Sequence, residues 1–334
     1  MTEPSRLTLS ETADFLRAHD NFLILCHANP DGDTLGSGIG LREILRKMGK
    51  TAHCACASHI PHRLSFITEE KESMYLEELP ADFSYTTVVS VDIASPSLMG
   101  AYQDPFGEDG NVDLAIDHHG THTPFAKQLL LYEDMAACAE VIFDLGKHIF
   151  DWNDENPVPR EIAVPLYAGI NTDSGSFRYA AVTPETHERA AMLLSSGMEQ
   201  AKITSRLYGS RPMPEVMAAK AAYADLRFFF DNRVSLVTFT EETMQKYGLR
   251  DEDIDDVVNL IRGIEGVLCA VHVKPRGENT YKLSLRSEQC INVSEICAVF
   301  GGGGHPCAAG CTITAETPQA VEDLILAEIE KQLP

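Results

Sequence analysis

The chain has 334 residues, 44% hydrophobic and 23% charged, an ordinary globular composition with enough apolar material for two cores. Its formal net charge of −23 argues against long duplex nucleic acid, whose non-specific binding needs many Lys and Arg contacts, and against an anionic membrane surface. A small anionic ligand stays compatible with that charge if bound cations dominate the local field.

Residues 1–10 lack the basic start and apolar run of a signal peptide. No stretch reaches the roughly 20 apolar residues of a membrane span. Nine Cys without a CxxC pair read as reduced, mostly buried thiols, so a cytoplasmic protein is expected. Residues 22–26 are a compact apolar run whose length favours a strand, although periodicity alone leaves a helix open. A helix follows over 34–48, with Leu35, Ile39, Leu41, Ile44, Leu45 and Met48 as its apolar stripe. Residues 51–56, 87–91 and 112–116 read as further strands. This alternation predicts an α/β fold, a mainly parallel sheet covered by helices. Helices are expected over 136–150, 160–172 and 184–195, with a polar loop at 151–159.

The rhythm then changes. A first domain over 1–195 gives way to a helical linker over 196–225, interrupted at Arg211 to Pro214, and to a smaller α/β domain over 226–334. In that domain 226–230 and 234–239 flank Asp231 and Asn232 as a hairpin. Helix 254–262, strands 267–273 and 281–285, and helix 293–300 lead to four consecutive glycines. Strand 310–313 and helix 318–332 complete it.

Several groups carry chemistry. His27, Asp31 and Asp33 fall within seven residues between the first strand and its helix. In a parallel sheet, ligands bind at the carboxyl ends of strands. Imidazole with carboxylate suits Mn, Fe or Zn, and carboxylate oxygens also accept Mg. The competing reading is a loop in which Asp caps the helix and Gly makes the turn. Asp92 follows strand 87–91 and, alone, is equally a turn residue. Asp117, His118 and His119 follow strand 112–116. Successive side chains there point in different directions, so one His can face a metal while the next faces substrate. His122 reads as a loop residue. Asp173 ends a helix, where an anion opposes the macrodipole unless a cation is close. Together two His and four Asp supply ligands for two divalent ions, typically about 3.5–4 Å apart with a shared carboxylate.

In the second domain, Gly301 to Gly304 let backbone N–H groups approach an anion, with a flexible linker as the alternative. Arg286 continues the polar side of strand 281–285 and suits a phosphate fork. Arg262 ends a helix, where a cation is favoured anyway, and Arg178 is equally a plain surface residue. His53, His59 and His62 match no metal finger. The acidic run 251–256 lacks the Gly and terminal Glu of a calcium loop.

The series His27-x-x-Pro30-Asp31-Gly32-Asp33, Asp92, Asp117-His118-His119 and Asp173 resembles the four-motif signature of DHH phosphoesterases. Residues 301–310 resemble the glycine-rich motif of the domain often attached to them, so the resemblance covers nearly the whole chain. It implies that His27 and Asp31 hold one metal with Asp92. Asp33, His118 and Asp173 would hold the second, with Asp92 bridging. Asp117 would orient its neighbours, and His119 would contact the scissile phosphate or assist the leaving group. Two Mn²⁺ ions are implied, with Mg²⁺ or another divalent ion as alternative, and a bridging water as nucleophile. Arg262, Arg286, Gly302, Gly303, Gly304 and His305 would bind substrate.

The two-domain form is similar to the compact branch that hydrolyses short oligonucleotides and 3′-phosphoadenosine 5′-phosphate. The implied partners are short single-stranded RNA or DNA or small nucleotides, with a homodimer as a family-level expectation. The alternatives are a linear or cyclic dinucleotide phosphodiesterase and a catalytically inactive nucleotide-binding sensor. Thr34 stands where a small residue such as Ala is frequent in the family, with no functional consequence expected.

Overall fold

The computed structural model describes residues 4–68, 74–107, 111–209, 211–288 and 290–334, with His305 described through its backbone. The chain forms two compact units that divide between residues 210 and 211.

In the first unit, strands β1 (Ser5–Arg6), β2 (Phe22–Cys26), β3 (Ala52–Cys56), β4 (Thr87–Val91), β5 (Val112–Asp117) and β6 (Ala126–Leu131) form one sheet. Its order is β1-β6-β5-β4-β2-β3, and every pairing is parallel. The helices are α1 (Leu9–Ala18), α2 (Gly32–Lys47), α3 (Gln103–Phe106), α4 (Cys138–Phe150), α5 (Arg160–Asp173), α6 (Pro184–Leu194) and α7 (Gln200–Thr204). Ile24, Val89 and Ile116 pack with Leu35 and Ile39 of α2, Ile142 of α4 and Leu166 of α5. Leu23, Leu25 and Ala115 pack on the other face with Met99, Tyr102 and Phe106. Covered on both faces, β2 and β4 are buried at every residue, which is why they read as unbroken apolar runs.

The expected strands are all present, and β1 and β6 add two more. β1 pairs through only two residues, and Lys127 and Gln128 interrupt the apolar pattern of β6. β3 lies on one side of β2, while β4, β5 and β6 succeed each other on the opposite side. The sheet therefore changes its direction of growth between β2 and β4, the crevice where open α/β sheets bind ligands.

Helices α2 and α5 cross unusually closely. Gly32, Gly36 and Gly40 recur every four residues on α2, one face of the helix. A Cβ on Gly36 would meet the Pro165 carbonyl and Gly169, one on Gly40 would meet Leu166, and one on Gly32 would meet Thr172. That closeness brings the start of α2 against the end of α5.

In the second unit the elements are α8 (Met213–Asp225), β7 (Arg227–Phe229), β8 (Val234–Thr238), α9 (Glu241–Tyr247), α10 (Val257–Arg262), β9 (Cys269–Pro275), β10 (Thr280–Ser287), α11 (Val293–Ala298), β11 (Gly303–His305), β12 (Ala308–Thr314) and α12 (Pro318–Glu330). The sheet order is β11-β12-β10-β9-β8-β7, antiparallel except for the β8–β9 pair. Residues from α8 and α10 pack on one face, and residues from α11 and α12 on the other. The segment expected as a linker, 196–225, is divided between the units. Ile203 and Leu207 are buried in the first core, and Ala218, Ala221 and Ala222 in the second. Among the described residues, no helix is long and apolar enough to cross a membrane.

Candidate metal centre

His27 follows β2, Asp92 follows β4, and Asp117 ends β5 with His118 and His119 beyond it. These are adjacent strands, so their carboxyl ends deliver the side chains to one place. Asp31 is the N-cap of α2, its Oδ1 accepting from the N–H groups of Asp33 and Thr34 at 3.0 Å each. Asp33 lies in the first turn of α2, and Asp173 is the last residue of α5. Capping and ligation are not exclusive for Asp31, because a carboxylate has about four lone-pair sites.

Three sets of side chains converge: His27, Asp31 and Asp92; Asp33, His118 and Asp173; and Asp92, His118 and His119. His27 Nε2 stands 3.6 Å from both Asp31 Oδ1 and Asp92 Oδ2. His118 Nε2 stands 3.6 Å from Asp92 Oδ1, 3.3 Å from Asp173 Oδ2 and 3.8 Å from Asp33 Oδ2. The two oxygens of Asp92 thus face histidines of different sets. Nitrogen and oxygen ligands sharing one small cation stand ~3–3.5 Å apart, whereas a direct N–H···O bond would be nearer ~2.9 Å.

The donor atoms fit a divalent cation. Asp92 Oδ1 and His118 Nε2 are buried with no hydrogen-bond partner among the described residues. His118 Nδ1 donates to the Met135 carbonyl at 3.0 Å, which leaves the lone pair on Nε2. Asp92 adopts φ 56°, a left-handed conformation of the kind that collects at functional sites. Burial raises the Asp92 pKa well above its ordinary value, and the charges of Asp33, Asp31, Asp173 and Asp117 add to the effect. Burial and Asp173 push Asp33 up to about 7, while burial and Asp31 push Asp173 up to about 6. Positive charge among these carboxylates relieves both penalties.

The surrounding contacts hold the donors in position. Asp33 accepts from the N–H groups of Cys138 at 2.6 Å and Ala139 at 2.9 Å, so it caps α4, which has no side-chain cap of its own. Asp117 is fully buried. Its Oδ1 accepts from the backbone of His118 at 2.8 Å and from His119 Nδ1 at 2.8 Å, and its Oδ2 accepts from His122 Nδ1 at 2.6 Å. Burial would raise the Asp117 pKa, but the bonds from His119 and His122 drive it far below the usual carboxylate range. The same Asp117 bond raises the pKa of His119. His122 was expected in the loop, and its buried ring against Asp117 is the contact that sequence reasoning missed. The His119-x-x-His122 spacing was the available signal. Thr34 also has a structural role. Its Oγ1 accepts from the His27 N–H at 3.1 Å and lies 3.4 Å from the Val91 carbonyl, tying the His27 loop to β4.

A family model described as "DHH family, N-terminal domain" matches residues 21–170, and one described as "DHHA1 domain" matches residues 234–333. The bifunctional oligoribonuclease and PAP phosphatase NrnA of Thermus thermophilus is 32% identical over 325 residues, 96% of this chain and 93% of that protein. The chain belongs to the DHH family. The protein of the same description from Bacillus subtilis is 23% identical over 316 residues, 93% of this chain and 94% of that one. An exopolyphosphatase-related protein from Bacteroides fragilis shares the fold with a TM-score of 0.85 at 21% identity, over 97% of this chain and 95% of that chain. The manganese-bound exonuclease RecJ shares it more distantly, with a TM-score of 0.52 at 16% identity, over 98% and 95%.

Within the DHHA1 unit, the glycine run is ordered secondary structure. Gly301, at φ 72°, follows the end of α11, and Gly302 N–H bonds the Cys297 carbonyl at 2.9 Å. A Cβ on Gly302 would strike Gly310 and Cys311 backbone. Gly303, Gly304 and His305 pair with Gly310, Ala309 and Ala308 as an edge strand. The expected role of the His305 side chain lies outside the described residues. Arg286 is half-buried, and burial lowers its pKa, with Asp256 opposing and Arg262 adding to the fall. The two arginines are therefore near one another, with Arg262 also paired to Glu288.

Proposed function

We propose that this DHH-family protein hydrolyses phosphoester bonds in short oligonucleotides and in 3′-phosphoadenosine 5′-phosphate, using two divalent cations, with Mn²⁺ preferred. The observation that carries this reading is Asp92, whose two oxygens each face a histidine of a different ligand set. His27 and Asp31 hold one cation, Asp33, His118 and Asp173 hold the other, and Asp92 serves both. Such a pair supplies Lewis-acid stabilisation of phosphoryl oxygens and a more acidic water. The chain does the rest. Asp117 fixes the ring of His119 and favours its protonated form. His119, partly exposed, donates a hydrogen bond to the phosphoryl group and a proton toward the departing oxygen. Gly302, Gly303, Gly304, Arg286 and Arg262 bind an anionic group of the substrate.

The names of the Thermus and Bacillus relatives support this substrate class, and the manganese of RecJ supports the choice of ion. The net charge of −23 also suits a short substrate over a long one. The test is hydrolysis of a labelled RNA dinucleotide with Mn²⁺, beside 3′-phosphoadenosine 5′-phosphate and a cyclic dinucleotide, with Asp92→Ala as control. Metal-dependent cleavage of the first two, lost in Asp92→Ala, is expected. Preference for the cyclic dinucleotide would replace the substrate assignment, and tight binding without turnover on all three would replace the enzyme with a sensor.

A further inference from the structure

The first unit carries a feature that the ligand sets do not use. Just after Asp173 the backbone turns left-handed through Gly175, Ser176 and Phe177, with φ of 60°, 61° and 60°. Consecutive residues of this kind are costly outside glycine. The Ser176 N–H donates to the Asn171 carbonyl at 2.7 Å, and the Phe177 N–H to Ser174 Oγ at 3.0 Å. The turn delivers Arg178 and Tyr179 to the surface. Tyr179 is 59% exposed, and its ring lies over Gly175, where a Cβ would collide with it.

A second exposed tyrosine is fastened to the same segment. Tyr208, 45% exposed, donates its hydroxyl to the Asn171 carbonyl at 3.1 Å. The 62–64 turn, which carries Arg63, packs against residues 205–209, and the charges of Arg178 and Arg63 oppose the rise that burial gives the pKa of that phenol. Arg206, two residues earlier, stands over the Phe66 ring at 5.9 Å from its centroid. Among the described residues, Arg63, Arg178 and Arg206 make no ion pair with a carboxylate. What sets these three apart from other unpaired cations of the chain is their place beside two exposed tyrosines. Flat, exposed rings interleaved with unneutralised guanidinium groups are what a single strand needs. The rings stack bases, and the cations meet phosphates.

We infer that Tyr179, Tyr208, Arg63, Arg178 and Arg206 form a stacking subsite for the part of a short single strand that extends beyond the scissile phosphate. The inference rests on the phosphoesterase reading for its substrate class. Its arginines face the backbone of the strand, and its tyrosines take the bases without regard to sequence.

The test uses binding, which does not depend on turnover. A fluorescently labelled, phosphorothioate-linked pentaadenylate is titrated into the full-length protein and followed by anisotropy at several salt concentrations. Tyr179→Ala is expected to weaken binding about tenfold, the effect of losing one base stack, and Tyr179→Phe to restore it. Arg63→Gln with Arg206→Gln is expected to reduce the salt slope by ~1.4, since each phosphate contact on a single strand contributes about 0.7. The inference is overturned if the wild type does not bind the pentamer, or if Tyr179→Ala and the double Arg variant both bind as the wild type does. It is also overturned if Tyr179→Phe is as weak as Tyr179→Ala. Circular dichroism of each variant separates lost binding from lost folding. Failure of the hydrolytic reading would instead leave pentamer binding intact and turnover missing.

Discussion

Gly36→Ala tests whether the close crossing of α2 and α5 builds the centre. The new Cβ would press on the Pro165 carbonyl oxygen and lie 3.0 Å from N and 3.1 Å from Cα of Gly169. All three atoms are α5 backbone, so no side chain can rotate aside. Ordinary contact at ~3.5–4 Å requires the helices to part by roughly half an ångström or more. Overpacking of this kind costs about 1–3 kcal/mol. Alanine in a helix interior returns ~1 kcal/mol relative to glycine. The net loss of up to about 2 kcal/mol corresponds to a fall in Tm of up to about 8 °C for a unit of this size. The consequence at the centre is larger. Asp33 on α2 and Asp173 on α5 face the same His118 Nε2 at 3.8 Å and 3.3 Å. Such sites tolerate about 0.5 Å of displacement. Mn²⁺ affinity of this set should therefore fall at least tenfold. Calorimetric Mn²⁺ titration and thermal melts of chelator-treated protein check both effects. Gly263→Ala is the control, because its Cβ would have only ordinary contacts at 3.6 Å and 3.7 Å. Unchanged Tm and Mn²⁺ affinity in Gly36→Ala would refute the reasoning.

Three further outcomes are expected. Thr34→Val keeps the volume but strands the His27 N–H, costing ~1–3 kcal/mol and raising the Mn²⁺ concentration needed for half-maximal hydrolysis. His122→Phe removes the donor to Asp117 Oδ2 and should lower kcat about tenfold with little change in KM, while His122→Asn recovers part of the loss; steady-state kinetics on 3′-phosphoadenosine 5′-phosphate reads the split. In the DHHA1 unit, burial and then Lys274 push the His272 pKa down to about 3. The folded value lies below the unfolded ~6.5, so the stabilisation is complete above that pH and is lost as the pH falls toward 3. Denaturant titrations from pH 7 to 4 should therefore show a shallower decline for His272→Leu than for the wild type, and parallel declines would contradict the assignment.

Much of the centre was legible because local sequence carries it. β2, β4 and β5 are short buried runs, and each is followed directly by ionisable residues at its carboxyl end. Asp173 was legible as a charge on the wrong end of a helix. What escaped was non-local. Asp33 caps α4 from 105 residues away, and nothing near Cys138 announces it. His122 carries no signal beyond its spacing from His119, and the fold turns its ring onto Asp117. The spacing of Gly32, Gly36 and Gly40 and the Thr8–Glu11 capping box of α1 are local patterns that mark the close face of α2 and the start of α1. The glycine run of the DHHA1 unit reads as a backbone anion site with a flexible linker as the alternative, and pairing with β12 makes part of it a strand.

The most direct test of the two-cation centre is the number of Mn²⁺ ions bound per chain by chelator-treated wild type and by Asp92→Asn. Asp92 spans both ligand sets, so the account predicts two ions in the wild type and at most one held tightly in the variant, with hydrolysis lost. Two ions bound equally tightly by both proteins, or one ion in the wild type, would contradict it.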